Sequence, residues 1–563
     1  MWRWTLRVLM GLGGLIVLAG LAAAGILAFG RPQVRFSHSA TALTDISVDG
    51  LDARLSNVQA TLGTKPVPLT IIADRLVPST DLPAGALVDV RATTSSPSWL
   101  TWLLGPSTSS SVIVRTPLVQ PASNVAITTT PQAAGLSSAN SVREAIVRFS
   151  APVSVIAYRA AGSTANTRVD HIQPPSAVAR IPVPPSAAGG MLEVSAAARS
   201  WEVLPQADHS VTWFALAQGS PPGVVADPGP FGTAATSTSP ISLVFSETVA
   251  DTLGTSRPTI SPSLNGAWSE PTSHELVFTP SGFGYGPGEM VTVGFDRTLS
   301  VVATGASAST QARTVTSYSF TVQPGSILRL DQLLAQLRYM PLRFTPAAGT
   351  ATPTTLAAEE ATIYSPLAGS FAWRYGSVPP ALASQWSPGQ PTVMLKGALM
   401  AFEAATGNYD YTMDHESVAQ IANRATWKAL LEAALASKVD PNPYSYVYVT
   451  KTLPETLTLW EDGQVVLTSP TNTGVPQDPT ADGTYPIYLR YVQNYMSGTN
   501  PNGTTYHDLV HWINYFNGSD AVHGFVRAAY GFPQSLGCAE LPVPTAAKAF
   551  TYLAIGDLVT IAN

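Results

Sequence analysis

The stretch AVHGFVRAAYGFPQSLGCAEL, residues 521–541, decides how the rest of the chain is read. It holds the only cysteine, Cys538, directly behind Gly537, and a histidine, His523, fifteen positions earlier and followed by Gly524. A thiol attacks as thiolate, and a neighbouring imidazole can take its proton. Along one strand the two residues lie too far apart to touch. They meet if the chain folds back between two adjacent elements, and Gly531-Phe532-Pro533 supplies the turn chemistry for that. A lone cysteine is most often a small buried hydrophobe. Two features favour chemistry here. Gly537 and Ala539 leave the backbone beside the thiol open, so that amide N–H groups can face a developing oxyanion. The chain also reads as exported, and an unpaired thiol in an oxidising space is a liability unless it has a task.

The order His-Gly, spacer, Ser-x-Gly-Cys resembles the signature of the L,D-transpeptidase catalytic domain, the YkuD type, whose usual form is His-Gly … Ser-His-Gly-Cys. Pro479-Thr480-Ala481-Asp482-Gly483-Thr484-Tyr485 resembles that family's Thr-Pro-x-Gly-x-Phe turn and strand. Tyr506 to His523, YHDLVHWINYFNGSDAVH, resembles its lid end and the strand leading to the histidine. The likeness covers Tyr444 to Asn563. Leu536 departs from it by standing where a histidine is usual, and Glu540 stands near where Arg or Asn is common.

The resemblance implies roles. Cys538 is the nucleophile, and His523 its base and later general acid. The amides of Gly537 and Cys538 are the candidate oxyanion donors. Tyr506 is a lid tyrosine near the tetrahedral intermediate, with loop packing as the alternative. Ser535 and Gly524 belong to the substrate-binding motif, as shape rather than chemistry. His507 and His511 are near, and His511 is a possible substitute base. The implied reaction is acyl transfer on peptidoglycan stem peptides through a thioester, forming 3→3 type cross-links. It needs no nucleotide, cofactor or metal, and carbapenem β-lactams are the expected inhibitors. The alternatives are an L,D-carboxypeptidase and a non-catalytic wall-binding protein with a degenerate domain.

A length of 563 residues exceeds one core, so several domains are expected. Charged residues make up 12%, about half the usual share, while Pro (47) and Gly (43) are plentiful. This is the composition of β-rich modules with polar, uncharged surfaces. A net charge of −6 argues against nucleic-acid binding. With one cysteine there is no intrachain disulfide. Arg3 and Arg7 precede an uncharged run from Val8 to Gly30. That run is long enough to span a bilayer, and the flanking arginines put the N-terminus in the cytoplasm. The expected location is therefore the cell membrane, single-pass, with the C-terminal bulk outside and reaching into the wall. Ala22-Ala23-Ala24 leaves a cleaved signal peptide as the alternative.

The expected architecture is multidomain and mainly β. A membrane anchor (1–31) leads to a β module of unknown type (32–120). Two Ig-like sandwiches (121–220 and 221–323) follow, then a small helical peptidoglycan-binding-like domain with an insertion (324–440) and the catalytic β domain (444–563). The β reading rests on short apolar runs bounded by Pro, Gly and Ser. Val147 to Val153 echoes Leu243 to Val249 ninety-six positions later, a period suited to Ig-like sandwiches. The tract 219–238 is expected to be a linker. Ile327 to Leu337, Val393 to Ala405 and Ala425 to Leu431 carry helical spacing. Within the insertion, Trp373, Tyr375 and Trp386 either pack on the helices or stack on a glycan. Sandwiches in series would hold the site roughly 60–100 Å from the bilayer, at about 20 Å per strand. His38, His171, His209 and His274 stand singly, without ligand spacing.

Overall fold

The first 28-residue helix, α1 (Trp2–Phe29), has no charge after Arg7, and the window Leu12–Phe29 has a mean hydropathy of 2.4. It is long and apolar enough to cross a membrane. The computed structural model describes residues 2–128, 143–303 apart from 162, 164, 165, 186, 205–208 and 231–234, and 312–563. Beyond α1 the chain is mainly β, arranged in several separate sheets, as expected.

Residues 33–115 form two four-stranded antiparallel sheets face to face. In Leu87–Ser95 alternate residues, Val88, Val90, Ala92 and Thr94, point inward, the period-2 pattern of a half-buried strand. Trp201, from the next module, completes this core, and its indole donates to the Thr41 carbonyl at 3.0 Å. In the second module the 18-residue strand Arg143–Ala160 pairs along its length with Arg168–Val183. It pairs with Val125–Thr128 at one end and Gly189–Ala197 at the other, so its bend wraps the sheet around Val147, Phe149, Ile156 and Trp213. In the third, Met290–Ala303 plays the same part.

The expected linker does not hold. Within it Gly223–Asp227 is a strand between Ile241–Phe245 and Met290–Ala303, and Val224, Val225 and Ala226 are wholly buried. Flanking Pro and Gly masked a short Val-Val-Ala run whose burial outweighs composition; residues 231–234 of the tract lie outside the described residues. The internal echo is also only half structural. Val147–Phe149 and Leu243–Phe245 both lie in strands, but Val153 continues its strand while Val249 opens the helix Val249–Leu253. The Thr248 hydroxyl caps that helix by accepting from the Asp251 amide at 3.1 Å.

Helices Ile327–Gln336, Val393–Thr406 and Arg424–Leu435 pack around Leu333, Leu395, Leu399 and Trp427. The intervening segment adds the hairpin Leu342–Pro346 and Gly369–Trp373. Its aromatics are packed: Trp386 lies edge-on to Phe371 and Trp373 and donates to Asp331, and Tyr375 lies edge-on to Trp460 at 5.5 Å. Trp460, Tyr446 and Leu558 of the C-terminal domain belong to this same apolar cluster. Gly397 meets Gly556 so closely that a Cβ at Gly397 would lie 2.4 Å from the Gly556 carbonyl oxygen.

The C-terminal domain has two sheets. One is ordered Gln464–Pro470, Thr456–Glu461, Ser445–Thr450, Leu558–Ala562, Gly483–Pro486. The other runs Leu489–Thr499, Thr505–Asn517, Asp520–Gly524, Ala539–Leu541. Val447, Leu459, Phe516, Val522, Leu541 and Ala546 fill the space between them. Asp462 and Gly463, both at positive φ, make the expected two-residue hairpin turn. Helix Val543–Tyr552 follows the cysteine and packs on the second sheet.

Candidate active site

His523 lies on the strand Asp520–Gly524, and Cys538 immediately precedes Ala539–Leu541, which pairs with it in parallel. The register sets His523 opposite Glu540 and Val522 opposite Ala539. Because side chains alternate along a strand, His523, Glu540 and Cys538 fall on one face. They line a cleft of about 510 Å³ together with Tyr506, Asp508, Arg527, Ser535 and Leu536.

The turn before the cysteine is held from several sides. Gln534 and Ser535 amides donate to the Thr473 carbonyl, and the Val475 amide donates to Ser535. The Ser535 hydroxyl donates to the Cys538 carbonyl at 2.6 Å. Gly537 sits at φ +96°, where a Cβ would lie 2.2 Å from Asp520 Oδ1. Only glycine fits that position, for both conformation and space. Thr480, in the turn read from the sequence, is buried and accepts from the Gly474 amide at 2.9 Å.

Cys538 is 8% exposed, and its Sγ donates weakly to the Ser519 carbonyl at 3.7 Å. Burial pushes the thiol up to about 12; the Ala521 main chain opposes this, and Asp520, Glu540 and Asp478 add to it. His523 is 3% exposed. Burial drives its pKa down, against the Glu540 carboxylate and the Gly524 main chain, while the Arg527 charge lowers it further. Its Nδ1 is buried with no hydrogen-bond partner. Among the described residues no hydrogen bond joins the thiol to the imidazole. Both groups are thus neutral at pH 7, an uncharged thiol and an uncharged base in one cleft.

The other residues read from the sequence are distributed as follows. Tyr506 lines the cleft from the long hairpin Leu489–Thr499 and Thr505–Asn517. Burial raises its phenol first, and Cys538, when ionised, second. Gly524 faces away from the cleft, where a Cβ would meet Ala546 at 3.0 Å and Val543 at 3.1 Å. It therefore allows the following helix to dock. His511 sits opposite Gly524 and outside the cleft lining, and His507 stacks on Tyr495 at 4.5 Å and pairs with Ser497.

Sequence reasoning missed the pair that crosses the cleft floor. Arg527 Nε donates to Glu540 Oε2 at 2.8 Å and Nη2 to Oε1 at 2.7 Å. In the sequence Glu540 reads only as a departure from the motif. Arg527, four residues after His523, gave no periodic signal because it lies in the loop after the strand. Asp508, Met496 and Asn500–Asn502 come from the hairpin arm. Tyr515 packs against the apolar cluster that holds Cys538, and its phenol is raised to about 12 by burial first and by Cys538, when ionised, second. Among the described residues no cluster of His, Cys, Asp and Glu is suited to a metal ion.

This C-terminal unit belongs to a recognisable class. Residues 445–561 match the family model YkuD, the L,D-transpeptidase catalytic domain, over the last fifth of the chain. Solved structures similar to the chain are likewise L,D-transpeptidases. One from Mycobacterium smegmatis has 13% identity, covering 61% of this chain and 99% of its own, at a TM-score of 0.20. L,D-transpeptidase 3 from Mycobacterium tuberculosis, with a faropenem-derived adduct, has 11% identity, coverage of 60% and 97%, and a TM-score of 0.20. The catalytic domain of the E. faecium L,D-transpeptidase has 22% identity, coverage of 21% and 95%, and a TM-score of 0.20. No curated protein matches the chain.

Proposed function

We propose that the chain is a peptidoglycan L,D-transpeptidase with Cys538 as nucleophile and His523 as its base. The observation that carries this reading is the shared cleft: the only thiol and a buried imidazole with an unpartnered Nδ1 line the same 510 Å³ space. The family match of residues 445–561 supports the reaction class.

With both groups neutral at rest, His523 takes the thiol proton as the sulfur attacks, rather than holding a preformed thiolate. The Sγ–C bond forms at the carbonyl of a diamino-acid residue in the donor stem. The amides of Gly537 and Cys538 are the proposed donors to its oxygen, each worth about 3 kcal/mol in the transition state. The C–N bond then breaks, and His523 returns the proton to the departing D-amino acid. A side-chain amine of a second stem attacks the thioester and gives its proton to His523; the C–S bond breaks, the departing sulfur takes that proton back from His523, and a 3→3 type cross-link and a free thiol remain. Tyr506 and the hairpin arm cover the intermediate. We further propose that the two central β modules are Ig-like, that residues 324–440 bind peptidoglycan, and that the modules space the site away from a membrane anchored by α1.

Intact-protein mass spectrometry after incubation with a carbapenem tests the reading. Wild type gains one adduct and Cys538→Ala gains none. No adduct on wild type, or one that persists in Cys538→Ala, rejects it. Defined tetrapeptide-bearing fragments separate transfer from hydrolysis by their products.

A further inference from the structure

A second set of unusual features lies at the other end of the molecule. Helix α1 is exposed from Leu12 to Ala22, but Ala23, Gly25, Ile26 and Leu27 are half-buried. A short helix of the first β module, α2 (Thr101–Leu104), packs against α1. Leu51 also leans on the helix end, since a Cβ at Gly30 would lie 3.0 Å from its Cδ1.

The loop carrying α2 is built rather than slack. Leu100 is 2% exposed and fixes it to the core, and the amides of Leu103 and Leu104 both donate to its carbonyl. The Thr101 hydroxyl donates to Ser98, and the Gly105 amide to Thr101. With Leu100 turned in, Trp99 and Trp102 are turned out, 61% and 78% exposed. Beside them is a cleft of about 310 Å³ lined by Asp52, Arg54, Ser95, Ser96, Pro97, Ser98 and Trp99. The Ser96 hydroxyl is buried there with no partner.

If α1 ends at the outer membrane boundary, a rise of about 1.5 Å per residue puts Ala23–Leu27 roughly 3–9 Å below it. Indole rings favour that depth, where an apolar ring meets hydrated headgroups. We infer that this loop rests in the outer leaflet, with Trp99 and Trp102 inserted and Arg54 and Ser96 taking the phosphate of a phospholipid. A guanidinium and a free hydroxyl suit a phosphate oxygen set. The inference rests on α1 being a retained anchor. The docked loop would fix the direction in which the module string leaves the membrane.

The test uses the full chain in nanodiscs of phosphatidylcholine with brominated acyl chains, reading tryptophan quenching. Of the 12 tryptophans, Trp2 and Trp4 flank the opposite end of α1 and report the anchor itself. Trp99→Phe/Trp102→Phe should lose about half of the quenchable emission, and Trp2→Phe/Trp4→Phe the other half. Quenching unchanged in the Trp99/Trp102 variant overturns the docking. A wild-type chain with no quenching at all overturns the anchor instead. In a Trp2→Phe/Trp4→Phe/Trp102→Phe background, Arg54→Ala should reduce the quenching of Trp99; unchanged quenching overturns the phosphate contact.

Discussion

Substituting Arg527 with alanine should loosen the strand pair that holds the site, and the size of the effect follows from burial. The Glu540 side chain is 5% exposed and the Arg527 side chain 30%. Removing the guanidinium leaves a carboxylate inside the domain with no countercharge. Breaking a fully buried pair in this way costs about 3–5 kcal/mol. Here Arg527 meets solvent on one side, so screening reduces the figure to about 2–3 kcal/mol. At about 1.4 kcal/mol per tenfold, that is roughly 30- to 150-fold in an opening equilibrium. Hydrogen-exchange mass spectrometry reads it at the amides of Val522–Gly524 and Ala539–Leu541, which share the parallel ladder. Arg527→Ala should exchange there faster by that factor. Arg527→Ala/Glu540→Gln should recover most of the loss, because a neutral amide replaces the bare charge. Exchange in Arg527→Ala within about threefold of wild type would refute the reasoning, and so would a double variant that exchanges as fast as the single one.

Two further outcomes are expected. Burial puts the Cys538 thiol near 12, so it is protonated throughout the neutral range and the thiolate fraction grows with pH. Its alkylation by iodoacetamide should therefore climb about tenfold per pH unit from about pH 6 to 9 without levelling; a plateau near neutrality would show a preformed thiolate–imidazolium pair. Gly397→Ala should separate the helical region from the catalytic domain, since its Cβ would lie 2.4 Å from the Gly556 carbonyl. Overpacking of that kind costs about 1–3 kcal/mol, visible as a lowered midpoint in thermal unfolding and faster proteolysis near residues 436–444.

The sequence alone determined the local things. Gly537 before Cys538, Asp462-Gly463 between two apolar runs, and the spacing of Ile327–Leu337 each impose a turn or a period through backbone sterics and side-chain direction, which act over a few residues. The same short-range chemistry brought the thiol, the histidine and the mainly β character into view. Tertiary structure alone decided what depends on which surfaces meet. The parallel pairing of Val522–Gly524 with Ala539–Leu541 sets thiol and imidazole in one cleft. Their burial makes both neutral. Glu540 became intelligible only once Arg527 was seen beside it, and the strand Gly223–Asp227 only once its neighbours covered it. Desolvation and charge pairing depend on contacts between residues distant in the chain, and no local pattern encodes them.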